Sequence, residues 1–285
     1  MALFLLRYAE IGLKSERVRR RFIATLIENI ENAFMLSGME CIVSSDRGRI
    51  YVLSGNAAAG REIISRIFGI ASFSEVVEAP LDIAELAQTV SAYATDLLVK
   101  GCTFAVRARR SGGQKYTSME LAREAGSRIL DDHGEMDIHV SLDSPDVEVF
   151  VEARERAAYI YGSYEQGPGG LPMGTQGSVA CLVEKHDDLV IPWLMMRRGC
   201  NVVVGKTTEE DIGSIRKWNA RISIVRVEGL EQMLPIAAEN RCSGVALNSD
   251  WLRAPATMDK SGFAFFYPAA GMTAGELHAL LSRIG

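Results

Sequence analysis

The sequence changes character at Gly167-Pro168-Gly169-Gly170-Leu171-Pro172, and that change limits the folds open to the chain. A run this rich in glycine and proline neither continues a helix nor sits inside a sheet, so it marks a boundary. Beyond it the residues alternate in a regular order. Strand 178–183, helix 187–198, strand 200–205, helix 208–218, strand 221–226, helix 229–239 and strand 243–247 follow one another. Phe263 to Tyr267 adds a last strand and residues 273–284 a closing helix. The strand segments are apolar on successive residues, as in Val179-Ala180-Cys181-Leu182-Val183 and Val202-Val203-Val204. Strands covered on both faces have this character, so residues 171–285 are expected to form a doubly wound parallel sheet.

Before the boundary the order differs. Residues 2–8 read as a strand and 14–36 as a helix, with Phe22, Leu26, Ile30 and Ala33 on one apolar face and Gly38 as C-cap. Strands 40–45 and 48–53 flank the Asp46-Arg47-Gly48 turn, a helix near 56–68 ends at Gly69, and a strand covers 70–77. This is the split βαβ order of a ferredoxin-like domain, assigned to residues 1–77. Pro80 opens a second α/β domain, 78–166, with helix 82–98, strand 102–109, helix 117–131 and strands 137–141, 146–153 and 156–162. The fold class is multi-domain α/β.

With 48% hydrophobic and 24% charged residues among 285, the composition is that of a globular protein. No apolar run reaches the roughly 20 residues that span a bilayer. The opening Met1–Arg7 lacks a basic leader, so a cytoplasmic protein without a membrane partner is expected. The five cysteines are far apart and include no C-x-x-C pair, which speaks against a metal centre or a disulfide framework. Buried, reduced thiols are expected, with Cys242 the most exposed of them.

A net charge of −5 excludes a protein that binds nucleic acid with its whole surface, but the charge is unevenly spread. Lys14 to Arg21 holds five basic residues and one acidic; Arg107 to Lys115 holds four basic and none acidic. In the second cluster, Phe104, Val106 and Ala108 point one way along a strand, and Arg107 and Arg109 the other. Arg110 follows, then the turn Ser111–Tyr116 with Lys115, then a helix opened by a Thr117/Glu120 capping box. Cations, a glycine-rich turn and a helix N-terminus favour an anion, for which an RNA phosphate is the natural candidate, with Tyr116 placed to stack on an unpaired base. The alternative is a solvated edge strand that its charges protect from aggregation. In the first cluster Arg17, Arg20 and Arg21 share a helical face near Lys14; a phosphate backbone and plain solvent are both open readings.

Strand 178–183 runs into Glu184-Lys185-His186-Asp187-Asp188 and then a helix, the order of a phosphate cradle without its glycines. The side chains obstruct the approach, and the carboxylates cap the helix and repel a polyphosphate. Asp188 could still hold Mg²⁺ and Lys185 a phosphate oxygen, but no cofactor is expected.

Arg7-Tyr8-Ala9-Glu10-Ile11-Gly12-Leu13-Lys14 resembles the R-Y-G-E-I-x-L-K opening of the tRNA 4-thiouridine synthetases, or tRNA sulfurtransferases. Arg66–Ile70, residues 104–120, Leu171–Gly177 and Trp193–Cys200 resemble the same family in order. The resemblance implies an N-terminal ferredoxin-like domain and a THUMP domain that grip tRNA at its acceptor end, followed by a PP-loop ATPase domain. It matches Arg107, Arg109, Arg110 and Lys115 to the THUMP basic strand and turn, and Lys14 to the lysine of the opening motif. The family's S-G-G-x-D-S loop corresponds to Glu184–Leu189 with only Asp188 kept, its later catalytic cysteine has no counterpart, and the last domain is shortened. What is implied is a truncated, archaeal-type THUMP protein with a degenerate PP-loop domain, binding tRNA but not catalytic on its own. Among partners, the resemblance implies a homodimer and a sulfur-relay or modification-enzyme partner. The alternative is a divergent tRNA sulfurtransferase that uses Lys185, Asp188 and a cysteine from elsewhere.

Overall fold

The computed structural model describes residues 1–8, 10–253 and 262–285, so Ala9 of the opening motif lies outside the described residues. The chain forms two compact units, Met1–Leu5 with Ser74–Glu165, and Leu6–Phe73 with Gln166–Gly285. Strands β1 (Ala2–Arg7) and β4 (Ser72–Ala79) run from one unit into the other.

In the first unit β4 is followed by α3 (Ile83–Ala94), β5 (Thr103–Arg110), α4 (Ser118–Asp132), β6 (His139–Val140), β7 (Val147–Ala153) and β8 (Ala158–Tyr161). The strands lie in the order β4-β8-β7-β5-β6. β5 pairs parallel with β7 from Phe104↔Val147 to Arg110↔Ala153, and β8 pairs antiparallel with both β7 and β4. On α4 every fourth residue, Leu121, Ala125 and Ile129, is buried, and with Leu86 and Val90 of α3 they pack on Phe104, Val106 and Val149.

The second unit contains α1 (Glu16–Leu36), β2 (Cys41–Asp46), β3 (Arg49–Ser54) and α2 (Ala57–Ile64). α1 buries Phe22, Leu26, Ile30 and Phe34; the apolar stripe closes on Phe34, and Ala33, expected on it, is half-buried. Gly38, expected as the C-cap, lies one residue beyond Ser37, and at φ +69° it lets Met39 N return to Phe34 O in a Schellman ending. β9 (Glu165–Gln166) is followed by a parallel sheet of β10 (Ser178–Val183), β11 (Asn201–Lys206), β12 (Ser223–Arg226), β13 (Gly244–Ala246) and β14 (Ala264–Phe266). Its order is β12-β11-β10-β13-β14, with α5 (Val190–Arg197), α6 (Leu230–Glu239) and α7 (Ala274–Ile284) as its helices.

The helix expected at 208–218 does not form; a 3₁₀ turn at Gly213–Lys217 replaces it. Glu210 N bonds to Thr208 Oγ1 and Gly213 N to Asp211 Oδ1, so side chains take the amides that an α-helix needs. The glycine-proline segment that marks the boundary is held along its length. Gly69 N and Gly169 N donate to Gly169 O and Ile70 O, Gly167 N reaches Ala71 O, and Leu171 N reaches Arg197 O. A methyl group at Gly167 would meet the Ile70 carbonyl oxygen, and one at Gly170, φ +75°, that of Arg197. Beneath this strap Phe68, Trp193 and Trp218 form a ring cluster with centroids 5.3–5.5 Å apart. Among the described residues, no helix is long and apolar enough to cross a membrane.

Candidate functional site

On β5 the expected alternation holds, but the arginines differ in their freedom. Arg107 Nε donates to Glu148 Oε1 on the adjacent β7 at 2.7 Å, and its Nη2 to Leu142 O at 2.7 Å. Arg110 Nη1 donates to Gly112 O and Gln114 O and folds the glycine turn back on the strand. Gln114 in turn donates to the Arg154 carbonyl. Arg109 and Lys115 are exposed, and their side chains have no hydrogen-bond or ion-pair partner among the described residues.

Tyr116 is half-buried against the core of its unit and its hydroxyl donates to Leu81 O at 3.0 Å. Burial, and then Asp82, raise the phenol pKa. One side of the ring is thus packed on the core and its hydroxyl is bonded. The capping box is present: Glu120 N donates to Thr117 Oγ1 at 3.1 Å and Thr117 N to Glu120 Oε2 at 2.7 Å. These bonds hold the Glu120 carboxyl below its usual range. They also place a carboxylate at the helix start where an anion was expected, so attraction for a phosphate rests on the free cations.

At the start of α1, Lys14, Arg17, Arg20 and Arg21 are all exposed. Arg20 pairs with Glu16 at 3.1 Å, and the Arg21 guanidinium lies 5.4 Å from the centre of the Phe22 ring. Lys14 and Arg17 have no side-chain partner among the described residues.

The other candidate lies at the carboxyl edge of the parallel sheet, where β10 separates β11 on one side from β13 on the other. Ligands of open α/β sheets settle at such a switch point. Here the chain's own groups bridge it. Asp188, 3% exposed, accepts on Oδ2 from Glu184 N at 3.0 Å, Lys185 N at 3.2 Å and Asn248 Nδ2 at 3.2 Å. Glu184 Oε2 accepts from Trp251 Nε1 at 2.7 Å and Asn248 Nδ2 at 3.0 Å. His186 N donates to Glu210 Oε2 at 2.7 Å. Lys185 pairs with Asp250 at 3.4 Å; Asp188 first, and Asp250 after it, raise its pKa. Asn248, Trp251 and Glu210 were not foreseen; the position of Asn248 just past β13 was the signal that would have found it. The backbone amides of Glu184 and Lys185 are thus already taken by the Asp188 carboxylate.

Cys242 is buried, not the most exposed thiol: Arg241 adopts a left-handed φ of 52° and Cys242 N returns to Ala237 O, tucking the side chain among Leu230, Met233 and Ala237. Burial pushes the Cys181 thiol well above its ordinary pKa and raises those of Cys200 and Cys242. A raised pKa disfavours the thiolate, which is the nucleophilic form.

Residues 3–74 match the ThiI ferredoxin-like domain and residues 81–162 the THUMP domain. A probable tRNA sulfurtransferase of Methanobrevibacter smithii is 37% identical over 203 residues, covering 69% of this chain and 51% of that protein. One of Saccharolobus solfataricus is 32% identical over 255 residues, covering 84% and 66%. The chain thus spans about half to two thirds of the length of these relatives. Over its whole length the fold matches PH1313 of Pyrococcus horikoshii Ot3 at a TM-score of 0.84 and 24% identity, covering all of both chains. It also matches a 4-thiouridine synthetase, solved in complex with RNA and bound ATP, at 0.78 and 22%, covering all of this chain and 85% of that one. With its ThiI ferredoxin-like and THUMP domains and its run of similarity to the probable tRNA sulfurtransferases, the chain belongs to the tRNA 4-thiouridine synthetase (tRNA sulfurtransferase) family.

Proposed function

We propose that this protein binds tRNA at its acceptor end through the basic surfaces of its ferredoxin-like and THUMP domains, and that it does not adenylate the RNA. The observation that carries the reading is the carboxylate of Asp188 on the amides of Glu184 and Lys185, where an ATP phosphate would have to lie. Opening that place means breaking buried charge-assisted bonds and setting a polyphosphate beside Glu184, Asp187 and Glu210. Family membership supports the tRNA half of the proposal, as do the exposed Arg109 and Lys115, unpaired among the described residues.

The test is a gel shift of a tRNA transcript across salt concentrations, beside calorimetry with ATP·Mg²⁺. Arg109→Glu with Lys115→Glu is expected to weaken tRNA binding about tenfold or more and to flatten the salt slope by about one for each phosphate no longer neutralised. ATP is expected to give no binding heat. Unchanged tRNA affinity in the double variant would overturn the first half, and micromolar ATP binding the second.

The relatives named probable tRNA sulfurtransferase favour a second reading, a divergent sulfurtransferase that uses Lys185, Asp188 and a cysteine supplied from elsewhere. ATP-dependent appearance of 4-thiouridine in the same transcript would replace the first reading with this one.

A further inference from the structure

At the opposite, amino edge of the parallel sheet lies a cavity of about 600 Å³. Ser178, Asn201 and Ser223, the first residues of β10, β11 and β12, line its floor. Its walls come from α1, from the turn after α2 and from the segment between the 3₁₀ turn and β12. The volume lies within the roughly 300–1,000 Å³ of small-ligand sites and is far larger than an inorganic phosphate needs.

The chemistry of the lining is one-sided. Arg66, Arg216, Lys217 and Arg221 contribute four cations, and no aspartate or glutamate lines the cavity among the described residues. This is so although the chain has 36 acidic and 31 basic residues, and although the carboxyl edge of the same sheet is crowded with carboxylates. Lys217 is held by the Gly285 carbonyl, Arg216 by Ile222 O and Arg66 by Glu62, whereas the Arg221 side chain has no partner among the described residues. Five asparagines, at 29, 32, 201, 219 and 240, also line it. Asn29 donates to Met173 O, Asn219 to Met173 Sδ and Asn240 to Ile236 O; the side-chain amides of Asn32 and Asn201 remain unpaired among the described residues. Each free amide offers a donor pair and an acceptor, the pattern that reads the edge of a nucleobase. Ile67, Met173 and Trp218 supply apolar wall beside these groups.

We propose that this cavity binds a nucleotide, its phosphate on Arg221 and the neighbouring cations and its base against the apolar wall, read by Asn32 and Asn201. The nucleotide is either a free nucleoside monophosphate or the unpaired end of an RNA strand. The full chain is titrated calorimetrically with AMP, GMP, CMP and UMP separately, and with inorganic phosphate. One-to-one binding of at least one nucleotide, tighter than that of phosphate alone, is expected. Arg221→Glu and, separately, Asn32→Asp should each lower that affinity about tenfold by setting a carboxylate where the ligand sits, while Lys185→Ala at the far edge leaves it unchanged. Arg221 is exposed, so its replacement should leave the thermal midpoint where it was. A single-stranded RNA ending in the preferred nucleotide then identifies the source: affinity above that of the monophosphate, lost in Arg221→Glu, marks a strand end, and equal or lower affinity a free nucleotide. Absence of binding to every nucleotide at millimolar concentration overturns the proposal. So does phosphate binding as tightly as any nucleotide, or affinity unchanged in both variants.

Discussion

Asp188 illustrates how a single side chain decides the chemistry of an edge. Its carboxylate is buried but answered by three N–H groups, the condition under which burial of a charge is tolerated. Asp188→Ala leaves two backbone amides and one side-chain amide without that acceptor, each worth about 1–3 kcal/mol if water cannot replace it. A drop in the urea midpoint is expected, with no gain of ATP binding, because Glu184 and Glu210 remain in place; an unchanged midpoint would show that the carboxylate carries no structural weight. The sequence puts Asp187 and Asp188 at the start of the following helix as its caps; α5 has no side-chain cap, and Asp188 instead turns back to the amides of Glu184 and Lys185. Asn248 and Trp251, 60 or more positions away, were not legible, because only the sheet topology brings them there. Cys242 was misjudged for a similar reason: position within a loop says little about which way the next turn tucks the side chain.

For the elements, α4 offers the sharpest case. Its capping box was written in Thr117 and Glu120 and is present as read. Thr117→Ala is expected to cost about 1 kcal/mol, read by chemical denaturation. Because Glu120 has a lower pKa folded than unfolded, its contribution is complete above the unfolded value, about 4.3, and is lost as pH falls through the folded one. By NMR the Glu120 carboxyl should titrate lower in the native protein than in Thr117→Ala; equal titration would mean that the bonds do not shift it. The strands of the parallel sheet were legible because burial on both faces leaves a continuous apolar run, as at Val202–Val204. The missing helix at 208–218 was not, because Thr208 and Asp211 satisfy the local amides by another route that a periodicity count does not register.

Across the molecule, separation in sequence is not separation in space. Phe68 follows α2, yet its ring sits against Trp193 of α5 and against Trp218, so ferredoxin-like and parallel-sheet residues share one core. Phe68→Ala should cost about 3–5 kcal/mol. Hydrogen exchange should then speed up in α1 and in β10 and β11 together; faster exchange confined to the N-terminal residues would show that the two parts open independently. The glycine-proline run reads as a boundary, and the chain does pass from one unit to the other beside it, between Glu165 and Gln166; what a local reading cannot see is the long-range pairing of the run itself. Its amides are spent on the carbonyls of Ile70, Ala71 and Arg197, and its carbonyls on Gly69 N and on the Arg197 and Arg283 side chains. Gene fusion or shuffling at that joint would therefore inherit a seam already sewn on both sides, and any new module placed there would have to bring its own matching stitches.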